Sequence, residues 1–255
     1  MTMIRPGGEA LTIKAVKKAN LPEGAAILDM GCGEGDTAAL LAREFGFKTT
    51  GIDASYSLIE KGKKKYPDIN LRRMEAEHLE FESRGFDAVF MECSLSVMRI
   101  QEDAVFEAYC VLKPGGKLVI TDMFIRDPDP AAVAAMLAGA REKAARPKIE
   151  GDCGENTRPS FVMLDGAFVV DELAAMLQDI GLEIEYFENV SDVLAEFAAR
   201  AIMEHGSLAA YFKSVVPEGE DPAAYYACAA FEDGVKCPKK LGYFFMILRK
   251  GNDGH

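Results

Sequence analysis

Histidine is scarce in this chain of 255 residues. With only His78, His205 and His255 available, a histidine-rich metal centre or a His-based catalytic triad has little to draw on. The six cysteines, Cys32, Cys93, Cys110, Cys153, Cys228 and Cys237, contain no C-x-x-C pair and no regular framework spacing. That pattern argues against a structural zinc site and for reduced thiols, and no metal is expected. Basic side chains are also short, since 29 Lys and Arg against 41 Asp and Glu leave a formal charge of −12. Such a surface repels nucleic-acid phosphates and anionic lipid, so neither is expected as a partner. No apolar run approaches the ~20 residues of a spanning helix, and Met1 to Ala10 lacks the apolar centre of a secretory signal. The expectation is a cytoplasmic protein, with 49% hydrophobic residues able to fill the core of a single domain over residues 1–255.

What is present is an alternation of short apolar runs with amphipathic segments. A helix from Glu9 to Asn20 leads into the strand Ala25-Ala26-Ile27-Leu28-Asp29, which Gly31-Cys32-Gly33-Glu34-Gly35 stops. From Asp36 or Thr37 a helix carries Leu40, Leu41 and Phe45 on one side and ends at Gly46. Further strands are expected at 48–53, 69–73, 86–92 and 117–123, with helices at 57–66 and 102–112 and a Lys113-Pro114-Gly115-Gly116 turn. Strands alternating with helices imply a doubly wound, parallel sheet covered on both faces.

Beyond Met123 the rhythm changes. Asp129 and Pro130 open an alanine-rich helix that must stop before Pro147, and a long loop at 149–161 follows. A helix ending at Gly181, a strand at 182–187, a helix between a cap at Ser191 and Gly206, and a last strand at 243–248 complete the chain. The stretches 126–165 and 190–240 read as helical insertions forming a cap over the ligand-binding end of the sheet.

The strongest chemical signal is Asp29-Met30-Gly31-Cys32-Gly33-Glu34-Gly35-Asp36, with Gly51-Ile52-Asp53 at the next strand end. Glycines there let the backbone turn sharply and approach a ligand, and Asp53 is placed to accept hydrogen bonds from both hydroxyls of a ribose. A pyrophosphate dinucleotide would prefer a third glycine at position 36, which is Asp, and the further acid Asp29 suits a cationic ligand better.

These motifs, in this order, resemble the class I S-adenosylmethionine-dependent methyltransferases, in particular the small-molecule branch of ubiquinone/menaquinone-biosynthesis and arsenite methyltransferases. The resemblance covers most of residues 6–125 and resumes at 166–188. It implies a Rossmann-like sheet of seven strands, mostly parallel with the last antiparallel, and S-adenosyl-L-methionine as cofactor. The loop Asp29, Gly31, Cys32, Gly33 and Gly35 would hold the methionine part, and Asp53 with Ala54 the ribose. Glu75-Ala76 stands where the family has Asp-Ala near the adenine. Glu92, Cys93 and Ser94, after the fourth strand, would lie beside the methionine and the substrate. The Leu112-Lys113-Pro114-Gly115-Gly116-Lys117-Leu118 turn also looks like the family pattern. Because methyl transfer from a sulfonium is an in-line displacement, alignment and exclusion of water can supply most of the acceleration, and no residue is singled out as catalytic.

The expected function is methyl transfer to a small-molecule acceptor enclosed by the cap, in a monomer or homodimer. Three alternatives compete. Cys153, Cys228 and Cys237 all fall in the cap, where soft thiolates would suit arsenite or another metalloid as substrate, although the family's cysteine ahead of Gly166-Ala167 is replaced here by Met163, Leu164 and Asp165. A non-catalytic S-adenosylmethionine-binding protein would bind without turnover. An NAD-dependent oxidoreductase is disfavoured by Asp29 and Asp36.

Overall fold

In the computed structural model the described residues are 5–144, 163–164, 167–216 and 241–252. The sheet is assembled from β1 (Ala26–Met30), β2 (Lys48–Asp53), β3 (Asn70–Arg73), β4 (Phe86–Glu92), β5 (Leu112–Ile125), a small hairpin β6 (Met163–Leu164) and β7 (Ala167–Phe168), β8 (Leu182–Asn189) and β9 (Leu241–Lys250). Strands β3, β2, β1, β4 and β5 lie side by side in that order, all parallel. On the far edge of β5 lies β9, antiparallel to it, and β8 pairs antiparallel with β9. The seven long strands therefore form the mostly parallel sheet expected, with the last strand reversed.

Why these strands are central is visible in their side chains. Successive residues alternate between two cores: Leu28, Val89, Met91, Leu118, Ile120, Phe244 and Met246 face one side. Ile27, Ala88, Phe90, Val119, Tyr243, Phe245 and Ile247 face the other. A strand buried on both faces has no polar side to offer, which is why these segments read as continuous apolar runs. Helices α4 (Gln101–Val111) and α6 (Val170–Asp179) cover the first face through Ala104, Val105, Ala108, Leu173 and Leu177. Helices α1 (Gly8–Ala19) and α2 (Asp36–Phe45) cover the second through Leu11, Ala15, Val16 and Leu41. Helix α3 (Tyr56–Lys65) packs Ile59 against Ala38 and Ala39 of α2 and Leu71 of β3.

Several boundaries differ from the sequence reading. Strand β5 begins at Leu112 and runs to Ile125. The Lys113-Pro114-Gly115-Gly116 turn survives as a bulge inside it, because Phe86 pairs with Leu112 but Ala88 with Lys117, so extra residues loop out at Gly115 (φ +74). Strands β8 and β9 run longer than expected because β9 is paired along both of its edges. The hairpin of β6 and β7, joined to the sheet at Phe124 and Phe168, was not foreseen, since two-residue strands carry no periodic signal.

Of the expected cap, the described parts are α5 (Pro130–Ala144), α7 (Ser191–His205) and α8 (Leu208–Val215). Asp129 does cap α5, its carboxylate accepting the Ala131 amide at 3.1 Å. Ser191, in contrast, is the first helical residue of α7 and not its cap, because Asn189 takes the Ser191 amide at 3.0 Å. Leu194 packs in the sheet core with Tyr243 and Phe245, whereas Phe197 and Ala201 form a separate cluster with Tyr211 of α8. Cys153, Cys228, Cys237 and the 149–161 loop lie outside the described residues.

Candidate active site at the carboxyl ends of the parallel strands

Strand order reverses between β1 and β4, and in such sheets the crevice beyond the carboxyl ends at this point is the ligand site. The glycine loop connects β1 to α2 there. Amides of Gly31 and Cys32 both donate to the Ile52 carbonyl, at 2.8 and 2.9 Å, which curls the loop back over β2. At Gly31 (φ +76) a Cβ would lie 2.4 Å from Ser94 Cβ, so any side chain is excluded. Gly33 is different: its φ of +56 calls for glycine, yet nothing lies within 4 Å of where its Cβ would be. One glycine is needed for packing inside the protein, and the other presents bare backbone outward.

Asp53, at the end of β2, straps this loop to the next one. Its Oδ2 accepts the Gly33 amide and its Oδ1 the Ser55 amide, both at 2.9 Å. Ala54 follows on the surface, its carbonyl accepting from Arg73 Nε at 3.1 Å. The Met74 amide donates to the Asp53 carbonyl at 3.1 Å, which sets Glu75 and Ala76 immediately beyond the same strand end. Ala76 is half-buried against the core, while the Glu75 carboxylate is exposed, with Arg99 Nη2 at 3.9 Å.

Asp29 lies behind the loop, only 2% exposed, and its Oδ2 has no hydrogen-bond partner among the described residues. Burial, reinforced by the neighbouring Glu92 carboxylate and opposed by the Arg5 guanidinium and the Ala38 amide, pushes its carboxyl up to about 8; Asp53 adds to the rise. At neutral pH it is mostly a protonated acid. A cation placed against it would favour its ionised form.

Glu92 closes β4, and its carboxylate is occupied by the protein itself. Its Oε2 receives Arg5 Nη2 at 2.6 Å and the Thr37 hydroxyl at 2.9 Å, while its Oε1 takes the Thr12 hydroxyl at 3.1 Å. The next residue, Cys93, has a left-handed backbone (φ +58) and donates its amide to the Thr121 carbonyl at 2.6 Å. Burial and then the nearby Asp122 push the Cys93 thiol up to about 12, and burial raises Cys32 well above its ordinary value, so both remain thiols and not thiolates. Asp122 is itself buried and pushed up by burial to about 6, with the Ser96 amide donating to its Oδ2 at 2.9 Å.

The structure thus places Asp29, Gly31, Cys32, Gly33, Asp53, Ala54, Glu92 and Cys93 at or just beyond the carboxyl ends of β1, β2 and β4, with Gly35 opening α2 and Glu75 and Ala76 beyond β3. Sequence reasoning passed over Arg5, Thr12 and Asp122. Asp122 had a visible signal, an acid inside the apolar run Leu118 to Ile125. Arg5 and Thr12 had none, because their partner Glu92 is far away in the chain. Among the described residues no group of His, Cys, Asp and Glu could hold a metal ion, and no helix is long and apolar enough to cross a membrane.

The comparisons with known proteins agree with this geometry. A family profile described as a methyltransferase domain matches residues 27–116, from β1 through the bulge of β5. Methyltransferase GfsG of Streptomyces halstedii is 26% identical over 191 residues, covering 72% of this chain and 62% of that protein. Demethylmenaquinone methyltransferase of Chlorobaculum tepidum is 34% identical over 132 residues, covering 51% of this chain and 53% of that one. The chain therefore spans between about half and two thirds of the length of these curated relatives. Among solved structures, phosphoethanolamine N-methyltransferase 2 of Haemonchus contortus in complex with S-adenosyl-L-methionine superposes with a TM-score of 0.65 at 20% identity, covering 98% of this chain and 54% of that one, which shows a shared fold. Residues 27–116 thus match a methyltransferase domain, and the sheet around them has the fold of a methyltransferase that binds S-adenosyl-L-methionine.

Proposed function

We propose that this protein transfers the methyl group of S-adenosylmethionine to a small-molecule acceptor. The observation that carries the reading is the juxtaposition of the outward-facing Gly33 backbone with Asp53 beside it and, behind it, an Asp29 Oδ2 that has no partner among the described residues. These residues fit the cofactor. A carboxylate oxygen accepts more than one hydrogen bond, so Asp53 can hold its two amides and still receive ribose hydroxyls. Asp29 would face the positively charged methionine part, and Glu75 and Ala76 the adenine. When bound, the cofactor supplies an electrophilic methyl that leaves the sulfonium as the acceptor's lone pair attacks, giving a neutral thioether. The residues Glu92 to Val97, fixed by Ser94 and Asp122, would form the wall against which the acceptor is aligned.

The net charge of −12 supports a metabolite over nucleic acid or an anionic membrane as acceptor. The proposed enzyme is cytoplasmic and acts as a monomer or homodimer. Helices α5, α7 and α8 would belong to the cap that encloses the acceptor. Calorimetric titration of S-adenosylmethionine tests the site: saturable binding that is lost on Asp53→Ala and weakened by Asp29→Asn supports it, and absence of binding by the parent protein overturns it. Labelled methyl donor incubated with cell extract then separates acceptor classes, with label expected in the small-molecule fraction and not in protein or nucleic acid. Arsenite added to the reduced, cofactor-loaded protein tests the metalloid alternative, which requires binding lost on replacing Cys153, Cys228 and Cys237 by serine.

A further inference from the structure

The most heavily engaged polar group at the strand ends is Glu92, and all three of its partners come from elements that surround the glycine loop. Arg5 precedes α1, Thr12 lies within α1, and Thr37 sits in the first turn of α2, directly after the loop. Arg5 also donates to the Thr12 hydroxyl. The Arg5 and Glu92 side chains are 9% and 2% exposed, so solvent does little to screen this pair from its neighbours. Asp29 is the nearest consequence: β1 and β4 pair directly, with Asp29 opposite Phe90, and Asp29 feels Glu92 and Arg5 with opposite signs. The other groups facing Asp29 are Asp53 from β2, the Cys32 thiol and the Ala38 amide at the start of α2. Among the described residues, Arg5 is the cation that acts on Asp29, where the acids Glu92 and Asp53 act the other way.

We propose that Arg5 and Glu92 are positioning residues of the cofactor site: the buried Arg5 guanidinium held on Glu92 sets the charge that Asp29 presents to a cationic ligand. Cofactor binding and the Arg5–Glu92 pair are then linked, and the proton displaced from Asp29 passes to solvent. The inference rests on the cofactor reading above and adds to it a role for residues that do not touch the cofactor.

The direction follows from linkage. Below the pH at which ligand-free Asp29 ionises, a ligand that prefers the carboxylate must displace a proton, so its affinity rises by up to about tenfold per pH unit and then levels. The experiment is calorimetry of S-adenosylmethionine binding from pH 6 to 9.5 in buffers of different ionisation enthalpy, with carboxyl-carbon NMR following Asp29 in the ligand-free protein. The parent should release a proton on binding near pH 7. Arg5→Gln removes the cation and should move the curve to higher pH, weakening binding about tenfold at pH 6.5 while converging on the parent at pH 9.5. Glu92→Gln keeps the shape, removes an anion and should move the curve the other way, and Arg5→Lys should restore the parent midpoint. Asp29→Asn should flatten the profile. If Arg5→Gln lowers affinity equally at all pH values and leaves the Asp29 titration in place, Arg5 is structural only and the inference is overturned. Binding by the parent without pH dependence overturns it too while leaving the proposed function intact, whereas a parent that binds no cofactor overturns both.

Discussion

The Ser94 hydroxyl donates to the Met30 carbonyl at 2.7 Å, and the same side chain occupies the space that a Cβ on Gly31 would need. The turn after β4 is in this way pressed against the end of β1. Gly31→Ala must displace Ser94 as well as hold a left-handed backbone, so a loss of roughly 2–4 kcal/mol is expected from overpacking and strain together. Gly33→Ala meets no neighbour within 4 Å and carries only the backbone strain of roughly 1–2 kcal/mol, but it adds a methyl to the face offered to the cofactor. Urea unfolding should therefore rank Gly31→Ala as the more damaging of the two. Calorimetry should show Gly33→Ala losing cofactor affinity out of proportion to its stability.

Asp29 makes a second prediction, about pH and stability without any ligand. Its carboxyl is raised by burial to about 8 in the folded protein, against 3.8 when unperturbed, so between these values the folded state holds a proton that the unfolded state has lost. Its contribution to stability is greatest below pH 4 and declines as pH rises toward 8, by at most about 1.4 kcal/mol per pH unit. Asp29→Asn cannot ionise and should remove this decline. Urea melts of parent and variant at pH 5, 6, 7 and 8 should show a difference that shifts steadily in favour of the variant. A constant difference would mean that Asp29 is ionised in the fold across this range.

Much of this architecture is legible from the chain because local signals and long-range packing coincide. Strand β2 and strand β4 run over the residues that their apolar patterns mark, and α2 ends at Gly46 with a left-handed backbone, as a C-terminal glycine implies. The glycine loop and Asp53 are close in sequence to the strand ends that position them, so motif and geometry say the same thing. What is hidden is contact between distant residues of ordinary appearance. Nothing about Arg5 marks it as buried, and Glu92 looks like a ligand-facing acid until its three partners are seen. Glu75 is the converse case, a motif position whose side chain the fold leaves in solvent.

Asp53 supports a third prediction that separates loop order from cofactor contact. Asp53→Asn keeps one acceptor oxygen and can hold either the Gly33 or the Ser55 amide, while Asp53→Ala holds neither. Both amides are partly exposed and can turn to water, so the thermal midpoint should move little. Cofactor affinity should fall by at least tenfold for the alanine variant and less for asparagine, a graded loss expected when charge-assisted hydrogen bonds worth roughly 1.5–3 kcal/mol are removed. Equal affinity in all three proteins would place the ribose elsewhere.

The last prediction concerns a buried cation far from the site. Lys250 ends β9 and is 4% exposed, with its ammonium donating to the Tyr109 carbonyl at 2.8 Å and the Leu112 carbonyl at 2.9 Å. These carbonyls belong to the end of α4 and the start of β5, where a helix leaves its last acceptors unpaired and favours positive charge. The ammonium also lies 4.3 Å from the centre of the Tyr109 ring. Lys250→Met fills much the same volume but takes the donor from the buried Leu112 carbonyl and the partly buried Tyr109 carbonyl, so a loss of roughly 1–3 kcal/mol is expected. Because Lys250 fastens the edge of the sheet and not its ligand-binding end, cofactor affinity at a temperature well below the melt should match the parent. A Lys250→Met variant as stable as the parent would show that the two carbonyls find other partners, and that the apolar packing of β9 between β5 and β8 holds this edge alone.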